Sequence, residues 1–175
     1  MRWVQITALL AWLLVGSTGA SAQTLDLPQP SGPVILSVSG NIAKGNARDA
    51  QGRAVAHFDR DMLEKLGMVT VATHTPWHQE LQRFEGIPGT ALLDAVGAAG
   101  TELRAWAIND YVVRIPQDDL RMHGPILALR SNGQYLAVRD KGPVFLVYPY
   151  DSAPNLRSNV YYLRSIWQLR RIEIQ

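Results

Sequence analysis

Phe84-Glu85-Gly86-Ile87-Pro88-Gly89-Thr90-Ala91-Leu92-Leu93-Asp94-Ala95-Val96-Gly97-Ala98 is the stretch on which the reading of this chain turns. Phe84 to Pro88 leads into a helix from about Thr90 to Val96, with Leu92, Leu93 and Val96 on one apolar face. Gly97 is placed to close it in a left-handed cap. Upstream, Asp59 to Leu66 has the signals of another short helix. Asp59 is its N-cap, Phe58 and Leu63 occupy the positions of a hydrophobic staple, and Gly67 ends it. Downstream the pattern changes to β-prone runs at Leu103–Ile108, Tyr111–Ile115, Ile126–Arg130, Tyr135–Val138 and Val144–Tyr148. Ser131-Asn132-Gly133 is a hairpin signal between two of them.

Working outward, Val34–Val38, Arg53–Phe58 and Met68–Ala72 are also strand candidates. Residues 39–52 form a loop or hairpin end, and residues 74–82 are irregular. Asp118-Asp119 stands beside Pro116 and starts a short turn or helix, while residues 151–158 form a polar loop. Trp167–Ile174 closes the chain as a strand with imperfect alternation, since Trp167, Leu169, Arg171 and Glu173 fall on one side. There is no internal repeat. The sum is an α+β domain, strand-rich, with two short helices early.

The N-terminus is read as a Sec-type signal peptide, residues 1–22. Arg2 is its positive region, Ala8–Val15 its apolar run, and Ala20-Ser21-Ala22 its cleavage site. A lone arginine followed by Trp3 is not a twin-arginine pair, so export is expected as an unfolded chain into the periplasm, which argues against a cofactor loaded inside the cell. What remains is a Pro-rich extended leader (residues 23–33) and one domain of about 150 residues, enough for a core of its own. The formal net charge of +2 falls by one when Arg2 leaves. No basic block points to nucleic acid. The chain has no cysteine, which removes thiolate nucleophiles, thiolate metal ligands and haem attachment.

The order of FDRDMLEKLG (58–67), TPW (75–77), FEGIPGTALLDAVGA (84–98), AINDYVVRIPQDDL (107–120), ALRSNGQYLAVRDKGPVFLVYP (128–149) and WQLRRIEI (167–174) resembles the molybdopterin-binding domain of the sulfite oxidase family. In enzymes of that family a cysteine after the strand equivalent to Met68–Ala72 ligates molybdenum. Thr75 is the residue matched to that cysteine, and a hydroxyl is a poor substitute for a soft thiolate. Short, cysteine-free, exported versions resemble periplasmic pterin-binding proteins, which report on a pterin to a transmembrane enzyme of cyclic-di-GMP metabolism. The resemblance therefore implies a pterin as ligand, no molybdenum, and a periplasmic domain of a transmembrane signalling protein as partner.

A pterin site needs an aromatic face and hydrogen-bonding groups for its edges. Trp77 is the stacking candidate, or else a cover over the end of the core. Asn109, Asp110 and Tyr111 form a turn in which Asp110 can accept from the amine edge and Tyr111 can pack beside it. Arg139 and Lys141 can donate to a carbonyl or to an anionic tail, and Gly142 can let the backbone approach a ligand. With Thr75, these are the candidate ligand-binding residues. His74 and His78 have i,i+4 spacing, but Pro76 between them excludes a regular helix, so no metal site is assigned. His57 is read as structural. No nucleophile elbow, P-loop or zinc-protease motif is present, and no catalytic residue is assigned. Three functions are weighed: a pterin receptor, a molybdopterin-dependent oxidoreductase without its cysteine ligand, and a ligand-free accessory protein. For the exported protein, mass spectrometry of the intact chain is expected to place the first residue at Gln23; a chain that keeps Met1–Ala22 refutes the cleavage site.

Overall fold

The computed structural model describes residues 25–175. The signal peptide and its cleavage site lie outside the described residues. Eleven strands, four short helices and three 3-10 turns occur among them. The strands are β1 (Leu36–Gly40), β2 (Ala47–Arg48), β3 (Ala54–Phe58), β4 (Val69–Thr73), β5 (Gln82–Pro88), β6 (Glu102–Ala107), β7 (Val112–Pro116), β8 (Ile126–Ser131), β9 (Gln134–Tyr135), β10 (Phe145–Val147) and β11 (Leu169–Ile174). The helices are α1 (Arg60–Glu64), α2 (Gly89–Val96), α3 (Gln117–Met122) and α4 (Asn159–Arg164).

Two sheets result. One has the order β2-β3-β1-β11-β6-β7, and the other β10-β8-β5-β4, with β9 paired to β8. Within the first, β1 runs parallel to β11 and antiparallel to β3. A single apolar core draws on both sheets, from Leu36, Val38 and Phe58 to Leu127, Phe145, Leu169 and Ile172. The architecture is α+β, with mixed sheets and few short helices. No helix among the described residues is long and apolar enough to cross a membrane.

The local signals explain the helices. Asp59 Oδ1 accepts from Met62 N at 2.8 Å, capping α1, and Phe58 and Leu63 are both buried. Gly97 closes α2 with φ 60°, and Leu92, Leu93 and Val96 are buried as the apolar face requires. Asn132 and Gly133 both have positive φ, as a tight hairpin between β8 and β9 needs. The 39–52 segment is a hairpin end, with Asp49–Gly52 turning between β2 and β3.

Several sequence expectations are corrected. Residues 84–88, read as a lead into α2, belong to the internal strand β5, which starts at Gln82 and continues to Pro88 along β8. A bulge between Glu85 and Gly86 breaks its alternation, and a Cβ on Gly86 would stand 2.1 Å from Leu127 O. The run 135–138 pairs only through β9, because Val138–Asp140 winds into a 3-10 turn. Residues 151–158 are not a plain loop but contain parts of two 3-10 turns, Tyr150–Ser152 and Pro154–Leu156. α4 was not anticipated. The uneven pattern of β11 has its cause in a bulge between Leu169 and Arg171, which turns Leu169, Ile172 and Ile174 all into the core.

The leader is fixed by two buried polar side chains. Asn46 Nδ2 donates to Pro28 O and His57 O, each at 2.8 Å, and its Oδ1 accepts from His57 N. Asp59 Oδ2 accepts from Ser31 N at 2.7 Å and Gly32 N at 2.8 Å. Hydrogen bonds from Met62 and Gly32 N–H groups hold the Asp59 carboxyl below its ordinary 3.8. A depressed carboxylate stabilises the fold fully above its unfolded pKa, and that gain is lost as pH falls through the folded value. Asp59→Ala should therefore cost about 1–2 kcal/mol for the cap alone at pH 7. In urea unfolding, the gap between wild type and variant should narrow once the pH drops below 3.8; a gap unchanged into acid would show that the carboxylate charge is not the stabilising element.

Candidate functional site

β4 ends at Thr73, and Thr75–His78 then folds into a turn in which His78 N donates to Thr75 O at 3.4 Å. This turn sets Trp77 against the core. Its ring meets Trp167 at 5.3 Å, Phe145 at 5.8 Å, Tyr162 at 6.2 Å and Tyr150 at 6.3 Å, all edge to face. Each such pair contributes about 0.5–1.5 kcal/mol beyond area burial. Trp77 is only partly buried, and it also lines a cavity of about 480 Å³.

Three segments wall this cavity. The first is the Thr75–His78 turn with Trp77. The second is the β6–β7 turn, which contributes Ala107, Asn109 and Tyr111; the third runs from α4 into β11, with Asn159, Tyr162, Leu163, Ser165, Ile166 and Trp167. The β6–β7 turn is held locally. Asn109 Oδ1 accepts from Tyr111 N at 3.2 Å, and Asp110 takes the left-handed conformation at φ 63°. Tyr111 then reaches across the mouth, its hydroxyl donating to Leu163 O at 3.2 Å.

α4 has no buried residue of its own and is tied down by polar side chains. Arg164 donates to the buried Asp119 at 2.7 Å, and the Tyr148 hydroxyl donates to the same carboxylate oxygen at 2.9 Å. Burial, then the Asp119 charge, pushes the Tyr148 phenol far up, so it remains a donor at any ordinary pH. Tyr161 pairs with His123 Nε2 at 3.0 Å. The Tyr150 hydroxyl bonds Ser165 Oγ, next to the cavity wall.

A second cavity of about 480 Å³, more open, lies on the other side of the turn. His74, Thr75, Pro76, Tyr150, Asp151, Arg157 and Tyr162 line it. Backbone and side-chain hydrogen bonds from His74 hold the Asp151 carboxyl below its ordinary value. A third, of about 260 Å³, is polar and includes His78, Gln82, Ser131, Asn132 and Lys141. Burial, and secondarily the Lys141 charge, lowers the His78 pKa and keeps the ring neutral beside Thr75.

The structure brings Trp77, Asn109 and Tyr111 together on the first cavity. Thr75 lies on the second, with its Oγ1 2.7 Å from His78 Nδ1. Lys141 lies on the third and stands behind the first, its Nζ 5.9 Å from the Trp167 ring. Asp110 and Arg139 line none of these three cavities. Asp110 is exposed and paired with Arg170, and Arg139 is exposed and paired with Asp140 at 3.3 Å. The expected role of Gly142 is corrected: the group that approaches it is the Leu136 backbone, 2.0 Å from where a Cβ would stand, not an open ligand surface. Tyr162, Trp167, Asn159 and Ser165 were not singled out from the sequence. The dense aromatics of Tyr161, Tyr162 and Trp167 were the available signal.

The donors around Thr75 do not fit a protein-ligated molybdenum. The chain has no thiolate, and Thr75 Oγ1 is engaged by His78 and by Trp77 N. Among the described residues no group of three or more His, Cys, Asp or Glu is gathered for a metal ion.

No family model matches the chain, and no curated protein matches it. Among solved structures, the sulfane dehydrogenase SoxCD from Paracoccus pantotrophus is similar, with a TM-score of 0.56 over 79% of this chain at 18% identity. The chain spans 37% of the length of that protein. At this identity the likeness shows a shared fold, an α+β domain of the kind contained in that dehydrogenase.

Since Arg164 is the cation on the buried Asp119, Arg164→Ala should destabilise the protein by about 2–3 kcal/mol, the partial exposure of the arginine tempering the cost. Amide exchange should accelerate at residues 159–164 more than in β8. Uniform acceleration, or none, would show that α4 is not held by this contact.

Proposed function

We propose that the chain is an exported binding module with a sulfite oxidase-like fold, that it takes a pterin in the Trp77–Trp167 cavity, and that it reports occupancy to the periplasmic domain of a transmembrane signalling protein of cyclic-di-GMP metabolism. The observation that carries this reading is the makeup of the first cavity. Four aromatic residues, Trp77, Tyr111, Tyr162 and Trp167, share its walls with Asn109, Asn159 and Ser165. A pterin is flat and edged with donors and acceptors, so it needs an apolar slot with a few amides and hydroxyls at its rim. The Asn109 amide nitrogen can donate to the pterin carbonyl edge, and Asn159 can both donate and accept.

Reporting is supported by the position of α4. It lines the cavity through Asn159, Tyr162 and Leu163, while Val160, which does not line it, is exposed. One short helix thus touches both the ligand and the outside. The alternative reading, a molybdopterin-dependent oxidoreductase, is favoured by the fold likeness to a dehydrogenase and opposed by the missing thiolate.

The deciding experiment is to purify the protein from the periplasm of its native host, denature it, and identify released small molecules by fluorescence and mass spectrometry, with metal analysis on the same sample. The expected result is a stoichiometric pterin without molybdenum. Trp77→Ala should lower affinity about tenfold, the size of one lost stacking contact. Molybdenum near one per chain would overturn the receptor reading in favour of the enzyme. Failure of any pterin to bind in direct titration would leave the accessory-protein reading.

A further inference from the structure

The second cavity carries a different chemistry from the first. Asp151 organises it. Its Oδ2 accepts from His74 N at 2.8 Å and stands 2.8 Å from His74 Nδ1. Its Oδ1 accepts from Arg157 Nη2 at 2.7 Å, and its own N–H donates to Thr73 Oγ1 at 3.1 Å. An ionised carboxylate only accepts, so Nδ1 carries the hydrogen that points at it. That fixes the imidazole and leaves Nε2 as the atom without a partner among the described residues. Arg157 spends one N–H on Asp151, and the remaining fork has no other described partner. Both side chains are more than half exposed, at 63% for His74 and 57% for Arg157, and both line the cavity.

A purely structural tie between the end of β4 and the Tyr150–Arg157 segment is already made by Asp151 with His74 N and Thr73. It has no use for an oriented imidazole and a guanidinium fork on an open cavity. Of the other polar groups there, Thr75 Oγ1 is engaged with His78 and the Tyr150 hydroxyl with Ser165. Pro76, Tyr150 and Tyr162 supply an apolar flank.

We infer that this cavity is an oxyanion subsite that binds a phosphate group, free or as a monoester, between His74 Nε2 and the Arg157 guanidinium. Asp151 offsets the charge of Arg157, so the attraction is carried by the free N–H groups of the guanidinium and by a proton shared between the phosphate and His74 Nε2. A phosphate monoester ionises a second time near pH 6 and can share its proton with Nε2, while its oxygens match the guanidinium fork. The inference rests on the second cavity alone and does not require a pterin in the first. Tyr162 lines both cavities, so the phosphate has two sources: a separate small molecule, or a phosphorylated side chain on a ligand whose ring occupies the first cavity.

The test uses the full mature chain and inorganic phosphate as probe, following the four imidazoles by nitrogen-detected NMR against a sodium chloride control of equal ionic strength. His74 should shift saturably with phosphate, while His57 and His123 should not. Arg157→Gln should weaken the binding at least tenfold, and Arg157→Lys, which keeps charge but loses the fork, should weaken it too. The unperturbed spectra of His57 and His123 serve as the check that each variant is folded. A His74 shift reproduced by chloride, or phosphate affinity unchanged in both Arg157 variants, overturns the subsite. A second arm compares a pterin carrying a phosphorylated side chain with its dephosphorylated parent. A tenfold preference that disappears in Arg157→Gln supports the subsite with the tail as source; saturable phosphate binding without that preference supports it with a separate anion. Phosphate binding in a protein that takes no pterin would refute the receptor reading and leave this one standing.

Discussion

The insertion of the C-terminal strand between β1 and β6 is the joint on which the molecule depends. Without β11 the larger sheet would fall into two pieces, β2-β3-β1 and β6-β7. The joint is made at close quarters. A Cβ on Gly40, which has φ 89°, would stand 2.2 Å from Ile174 O, and one on Gly100 would stand 2.3 Å from Gln175 O. The last residue accepts from Thr101 N at 2.7 Å and Glu102 N at 3.1 Å, so the chain end is bonded into the start of β6. Because β11 begins at Leu169, the residues just before it have no freedom of placement. Gln168 N donates to Lys141 O and Leu169 N to Val144 O, each at 2.9 Å. Ser165, Ile166 and Trp167 are thereby delivered to the cavity wall.

The same aromatic residues serve the core and the site. Phe145 and Tyr150 are wholly buried, Trp77 and Trp167 are half-buried, and all four belong to one set of edge-to-face contacts. Edge-to-face packing on buried rings fixes the placement of this wall. α4 contrasts with it. It has no buried residue, and its contacts combine hydroxyl and arginine hydrogen bonds with the partly buried rings of Tyr161 and Tyr162, which meet Tyr148 and Tyr150, while Leu163 is 63% exposed. The cavity thus has one side packed into the core and one side on a short helix that also carries the exposed Val160.

Much of the fold was legible because its local signals are strong. The Asp59 cap, the Gly97 stop and the Asn132-Gly133 turn act over three or four residues and need no distant partner. What escaped notice needed one. β5 contains Gly86 and ends at Pro88, both poor strand residues, and it is a strand because β4 and β8 pair with it on either side. α4 is six residues long, too short to be stable alone, and exists through its contacts with Asp119 and Tyr111 and the packing of Tyr161 and Tyr162 on Tyr148 and Tyr150. Trp77, Asn109 and Tyr111, named for their aromatic and turn-forming character, line one cavity together. Asp110 and Arg139 were chosen for their charge, but charges on exposed turns find each other first, and each has its own ion-pair partner. Tyr162 and Trp167 went unmarked because their importance comes from distance in space, not from spacing in sequence.

Thr75, Pro76 and Trp77 are three consecutive residues that serve two cavities. Thr75 and Pro76 line the open one, Trp77 lines the aromatic one, and Tyr162 faces both. Any displacement of this turn changes both surfaces at once. The turn is also braced from a third direction, since Thr75 is bonded to His78, whose ring the burial and the Lys141 charge keep neutral. If occupancy of one cavity shifts the turn, linkage requires that occupancy of the other shift it in return by the same free energy. The Thr75 hydroxyl stands where the two cavities adjoin. Its bond to His78 holds the loop through a side-chain contact. The aromatic scaffold beside it is packed by Phe145, Tyr150 and Trp167 around Trp77, so the turn that carries Thr75 is anchored in the core through its neighbour.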